Sequence, residues 1–178
     1  MATSPAFRIS TRSVRSSDPD RAQTLTWSAT VVSHNTLTSL PHTLATLPSL
    51  KKLSASHNAL LSASLPDLSP LAHLREIRFS WNPSLVALPD HFAAWGKGAD
   101  DSGKPGRGLE IVDLGQCGFE DWVGLKALVG QTNVVNLGLK GTKVGDEALE
   151  DGFEAFRDKV RYYPVYSGRA LQLTSYTF

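Results

Sequence analysis

Five histidines and one cysteine are the side chains of this 178-residue chain best suited to metal, acid–base or nucleophilic chemistry. The histidines are His34, His42, His57, His73 and His91. Two of them share a context, Ser33-His34-Asn35 and Ser56-His57-Asn58, 23 residues apart. On neighbouring strands such a pair would stand about 5 Å apart, near enough to share a ligand. Zinc requires a third donor, however, and the next residue in that row is Trp81. The row therefore reads as a contact surface, and neither a metal nor a cofactor is expected. Cys117 has no histidine in register beside it, and a buried cysteine without a base is inert, so its role is structural. Gly98-Ala-Asp-Asp-Ser-Gly-Lys-Pro105 fits the G-x-x-x-x-G-K frame of a phosphate loop. There Pro105 replaces the magnesium-binding hydroxyl, Asp100 and Asp101 repel phosphate, and neither the preceding strand nor the following helix is present. With no convergent catalytic group, the chain is expected not to be an enzyme and to have no small-molecule substrate.

The recurrence of the two histidine triplets belongs to a longer period. LKKLSASHNAL at 50–60 carries apolar residues at its first, fourth, sixth and eleventh places and Asn58 at its ninth. Aligning on that asparagine finds WSATVVSHNTL at 27–37, LREIRFSWNPSL at 74–85, LEIVDLGQCGF at 109–119 and VVNLGLKGTKV at 134–144. The ninth places are Asn35, Asn58, Asn82, Cys117 and Thr142, spaced by 23, 24, 35 and 25 residues. Alternation at places four and six sends Leu53 and Ala55, Ile77 and Phe79, Val112 and Leu114, and Leu137 and Leu139 to the buried face of short strands. The ninth residue turns inward where the strand ends and can satisfy backbone groups of adjoining turns, which cost about 1 to 3 kcal/mol each if left unpaired. These five residues are expected to form a structural ladder.

Over roughly residues 25 to 165 this pattern resembles the leucine-rich-repeat family. The resemblance implies an α/β solenoid: a curved stack of about five short parallel strands with helical or extended return segments and a helical C-terminal cap. Return segments fall at 37–50, 60–74 and 85–95, with Leu-Pro steps at 40/41, 65/66 and 88/89 that disfavour helix before the proline and start a new segment. Strands on one side and bulkier segments on the other curve the stack. Side chains at places two, three, five, seven and eight then line its concave surface.

The expected organisation is an N-terminal tail or capping strand at 1–24, repeats at 25–145 with a Gly-rich insertion at 96–108, and a C-terminal cap and tail at 146–178. The insertion, with five glycines and no large apolar residue, is expected to be flexible. Leu149, Phe153, Phe156 and Val160 have the spacing of an amphipathic helix able to cover the last repeat. Phe156-Arg157-Asp158-Lys159-Val160 followed by Pro164 also resembles the cap of the family's nuclear branch, which includes a spliceosomal repeat protein and a regulatory subunit of type 1 protein phosphatase. Tyr163 to Leu171 lacks the Leu-Asp finish of that cap, so neither role is carried over.

Lys51, Lys52, Arg75 and Arg78 fall on the concave faces of the second and third strands, with Trp81 at the edge and Asp113 on the next strand. Tryptophan and arginine together are side chains that dominate binding energy at interfaces. The expected partner-binding residues are therefore His34, Lys51, Lys52, His57, Arg75, Arg78, Trp81 and Asp113. The bland alternative is a solvated charged sheet. Two functional classes follow: a non-catalytic module that binds a protein partner, and a component of a nuclear or nucleolar ribonucleoprotein or ribosome-assembly particle in which the basic centre meets RNA.

Composition bounds these readings. Eighteen basic and 17 acidic residues leave a formal charge of +1, so no global field draws the chain to nucleic acid or membrane. The single cysteine cannot form an intrachain disulfide, and Asn82-Pro83-Ser84 is no glycosylation site, so an intracellular location, cytoplasmic or nuclear, is expected. No run approaches the roughly 18 apolar residues of a membrane span, and no membrane partner is expected. Residues 1–17 carry Arg8, Arg12 and Arg15 and no acid, which leaves organelle import open beside a frayed tail or a strand through Phe7 and Ile9.

Overall fold

A computed structural model of the chain describes residues 10–14, 26–144 and 161–162, with side-chain surroundings for 28–144. The expected cap helix around Leu149 to Val160 lies outside the described residues. Seven strands form one sheet in chain order: β1 Ser10–Val14, β2 Thr26–Val31, β3 Lys52–Ser54, β4 Glu76–Arg78, β5 Ile111–Asp113, β6 Asn136–Gly138 and β7 Arg161–Tyr162. β1 runs antiparallel to β2, and every later neighbour is parallel. Lys52 pairs with Glu76, Glu76 with Ile111 and Ile111 with Asn136. Third places thus face third places, so the alignment on the asparagine column is also the hydrogen-bond register. The solenoid contains the five expected parallel strands, extended at each end by β1 and β7.

Alternation places the core as expected. Leu53, Ala55, Ile77, Phe79, Val112, Leu114, Leu137 and Leu139 are buried, as are Leu50, Leu74, Leu109 and Val134 at the first places. Each fully buried leucine or isoleucine contributes about 1.5–3 kcal/mol relative to exposure, so the core comes from repetition of the same few positions. The return segments are 3-10 turns at His42–Thr46, Ser62–Ser64, Asp90–Ala94 and Val123–Gly130. Pro41 and Pro89 each stand immediately before such a turn, as the Leu-Pro steps suggest. Pro66 behaves differently: it holds Leu65 extended (φ −76°, ψ 126°) and so stops the turn that precedes it.

The ninth-place ladder is formed by hydrogen bonds between repeats. Asn58 Oδ1 accepts the Leu37 N–H at 3.0 Å, while its Nδ2 donates to the carbonyls of Val32 and Ala55. Asn82 repeats this one turn later, accepting from Leu60 N–H and donating to Ala55 and Phe79. At the start of the stack Asn35 donates within its own turn, to Val32 and Ser33, and to no other repeat among the described residues. Cys117 Sγ lies 3.1 Å from the Phe79 carbonyl, to which it donates, and Thr142 Oγ1 donates to Leu139. Cysteine suffices at 117 because the third repeat carries one extra residue in its turn. There the Leu85 N–H finds the Asn82 carbonyl at 2.9 Å and needs no side-chain acceptor from the next repeat.

The segment expected to be a flexible insertion is instead a docked β-hairpin. Gly108 N–H bonds the Gly96 carbonyl, Gly106 N–H the Gly98 carbonyl and Asp100 N–H the Lys104 carbonyl, with Ala99 opposite Pro105. Asp100 Oδ1 closes the tip by accepting from the backbone of Ser102 and Lys104 and from the Ser102 hydroxyl. Glycine is required where the hairpin meets the second repeat. A Cβ on Gly98 would fall 2.2 Å from the Pro70 carbonyl oxygen, and one on Gly106 would fall 2.4 Å from that of Ala72. On the other side, Lys97 Nζ donates to the Gly130 carbonyl and Asn133 Nδ2 to that of Arg107. Buried Gln131 completes the joint: it accepts from Leu109 N–H and donates to the carbonyls of Phe92 and Trp95.

Candidate functional site

The strands bring the eight expected contact residues onto one surface but give them unequal surroundings. Lys52, Glu76 and Arg78 form a continuous charged group: Glu76 Oε1 is 2.8 Å from Lys52 Nζ and 2.5 Å from Arg78 Nε. Burial raises the Glu76 carboxyl, but hydrogen bonds and charge from Lys52 and Arg78 outweigh it and hold the group below its ordinary value. The basic centre is therefore partly neutralised from within. Register alone does not predict this pairing, because which neighbour a long carboxylate reaches depends on rotamers.

Arg75 is turned to the framework. Its Nη1 donates to the carbonyls of Leu74, Gly96 and Gly108, at the root of the hairpin, and its Nε is 3.6 Å from Glu110. Lys51 is exposed, with no ion pair among the described residues. Asp113 is half-buried on β5, where its Oδ1 accepts the Gly115 N–H at 3.1 Å. Positive charge is thus concentrated over β3 and β4, and Glu110 and Asp113 bound it on β5.

His34, His57 and Trp81 form a stack along the rim. The imidazole centroids are 4.2 Å apart at 13°, and His57 lies 5.2 Å from Trp81 at 11°. These distances follow the spacing of neighbouring parallel strands, about 4.8 Å. Every eighth place adopts the left-handed conformation: φ is 59° at His34, 55° at His57, 60° at Trp81, 56° at Gln116 and 75° at Gly141. The turn into the ladder residue requires it. Only Gly141 announces it in the sequence, and the column of five becomes legible as one conformation once the repeats are aligned. Beneath the rings, Ser33 Oγ lies 3.0 Å from Ser54 Oγ, and Ser56 Oγ 3.0 Å from Ser80 Oγ, a hydroxyl row that sequence reading also missed.

Burial pushes the Cys117 thiol up from an ordinary 9.0 to about 12, and the Asp113 charge acts in the same direction. Among the described residues no three His, Cys, Asp or Glu side chains are grouped to hold a metal ion, and no helix is long and apolar enough to cross a membrane.

No protein-family model matches the sequence, and neither does any curated protein. Solved structures do match. A leucine-rich-repeat protein of Leptospira interrogans superposes with a TM-score of 0.58 at 22% identity, covering 74% of this chain and 30% of its own. An internalin of Listeria monocytogenes gives a TM-score of 0.45 at 18% identity, covering 66% of this chain and 29% of its own. The chain thus spans under a third of the length of either protein. The in-phase strands, the inward ladder and the likeness to the Leptospira structure agree, and the chain has the leucine-rich-repeat fold.

Proposed function

We propose that this chain is a non-catalytic module that binds a protein partner across its concave face, through Lys51, Lys52, Arg78, Trp81 and the His34–His57 rim. The observation that carries this reading is the exposure of Trp81, whose surface is 51% accessible beside a group of charges. A tryptophan with a nearby arginine, on a rigid sheet, is the arrangement that supplies most of the energy in protein interfaces. Arg75 drops out of the contact set because its guanidinium is engaged with backbone carbonyls. The ribonucleoprotein reading is less well supported, since a phosphate backbone crossing this face would meet Glu76, Glu110 and Asp113 among the cations.

Affinity purification with the chain as bait, followed by mass spectrometry, tests the proposal when three baits are compared. Proteins recovered with wild type are expected to be lost with the Arg78→Ala/Trp81→Ala double variant and kept with Lys126→Ala, an exposed change on the return side. Equal recovery with all three baits, or recovery that nuclease treatment abolishes, would refute it.

A further inference from the structure

We propose that the open face of Trp81 receives an aromatic side chain from an acidic, extended segment of a protein partner, which adds the next ring to the stack begun by His34 and His57. This rests on the concave-face reading above and goes beyond it by assigning the chemistry of one subsite.

The argument starts from conformational cost. A left-handed residue with a side chain is less favourable than glycine, and asparagine tolerates the region better than histidine or tryptophan. Gly141 shows that the fold accepts glycine at this place. The chain instead uses His34, His57 and Trp81, and Trp81 does not recover the cost by burial, being half exposed. Side chains held in strained backbone and left in water are accounted for better by binding than by stability.

Geometry supplies the second step. One face of the indole is covered by His57 at 5.2 Å. The next rung, Gln116, carries its amide onto the fifth repeat: a Cβ on Gly141 would lie 2.1 Å from Gln116 Nε2 and 2.4 Å from its Cδ. Its side chain therefore runs away from the indole, and the stack ends on an uncovered tryptophan face. A ring entering there would lie on the indole at the separation favoured by offset aromatic pairs.

Charge selects the kind of planar group. Lys51, Lys52 and Arg78 outnumber Glu76 on β3 and β4, so an incoming guanidinium would be repelled while carboxylates beside an aromatic residue would be attracted. A nucleobase would set its own phosphate beside Glu110 and Asp113, whereas a peptide can keep its carboxylates over β3 and β4 and bring only the uncharged aromatic residue towards β5. The Ser33, Ser56 and Ser80 hydroxyls offer donors and acceptors to the main chain of an extended peptide.

A random peptide library displayed on phage and selected on the immobilised full chain tests this, with affinities of synthetic peptides then measured by fluorescence anisotropy. Selected sequences are expected to share Trp, Tyr or Phe flanked by Asp or Glu. Trp81→Ala should weaken them about tenfold and Trp81→Phe by only a few-fold, from the usual worth of an aromatic pair. Gln116→Trp, which lays the protein's own ring over the open face, should weaken them as much as Trp81→Ala. Thermal unfolding of each variant checks that the fold is kept. Peptides that respond to Arg78→Ala but to neither Trp81→Ala nor Gln116→Trp would overturn the stack and leave the concave-face reading standing. Failure to select any peptide that responds to either residue would overturn both. Trp81-dependent binding of single-stranded oligouridylate, without binding of acidic peptides, would overturn the assignment in favour of a base.

Discussion

Replacing Asn82 by alanine separates the ladder's contribution from that of ordinary turn hydrogen bonds. Asn82 is fully buried, accepts from Leu60 N–H at 3.0 Å, and donates to Ala55 and Phe79 at 3.0 and 2.7 Å. The carbonyls survive its loss, because Ala55 also accepts from Asn58 and Phe79 from the Cys117 thiol. Leu60 N–H has no other partner among the described bonds and is stranded in the core. An unpaired buried amide costs about 1–3 kcal/mol, and the two lost bonds to carbonyls add about 0.5–1.5 kcal/mol each. The total, ~2–6 kcal/mol, is a large part of the ~5–15 kcal/mol that stabilises a typical domain. Asn35→Ala is the internal control: half-buried and, among the described residues, bonded within its own turn, it should cost ~1 kcal/mol. Urea unfolding followed by circular dichroism, at equal denaturant slope, measures both. Equal losses for the two variants, or less than ~1 kcal/mol for Asn82→Ala, would show that the inter-repeat bonds do not carry the stability assigned to them.

Three further outcomes follow from the same surroundings. The folded Cys117 thiol sits near 12 against an ordinary 9.0, so the stability it contributes is complete below pH 9 and is lost as pH rises towards 12; Cys117→Ala should flatten that alkaline decline, and iodoacetamide at pH 8 should label wild type only under unfolding conditions. Glu76 holds its charge more tightly folded than unfolded, so its contribution is present above 4.5 and lost as pH falls below it. Glu76→Gln should therefore shallow the acid limb and, by freeing Lys52 and Arg78, raise affinity for acidic peptides several-fold at low salt, an increase that should fade at high salt. Gly106→Ala should destabilise by about 1–3 kcal/mol, as overpacking does, because its methyl group meets the carbonyls of Gly96 and Ala72, whereas Gly103→Ala meets no neighbour and should show only the cost of its left-handed backbone (φ 76°), in a thermal unfolding comparison.

The strand register and the ladder were legible because a two-residue alternation tied to an inward asparagine admits one alignment; a shift by one residue would expose Leu53, Ile77 and Val112 together. The charged pairing at Glu76, the carbonyl contacts of Arg75 and the threefold bonding of Gln131 were not legible. Each depends on where a neighbouring repeat's backbone arrives, which no local pattern encodes. Gln131 did leave a trace, as a polar residue ending the apolar Ala127–Gly130 run. The hairpin was misread because glycine enrichment signals either freedom or close approach, and Pro70 and Ala72, which decide between the two, lie some thirty residues upstream. The eighth-place row was found as a surface but not as a left-handed column, since histidine and tryptophan are poor markers of that conformation.

The docked hairpin changes how the stack should come apart. In a linear array each unit touches only its neighbours, so unfolding can start at an end and travel one unit at a time. Here the third repeat's insertion rests on Pro70 and Ala72 of the second repeat and is held by Gly130 and Asn133 of the fourth. The two interfaces of the third repeat are thereby reinforced beyond the strand ladder, and the second to fourth repeats become a single cooperative block. In native-state hydrogen exchange the amides of Leu53, Ile77 and Val112 should share one opening energy, while those of the first repeat exchange earlier. The proposed recognition surface built on that block would keep its geometry even while the first repeat opens.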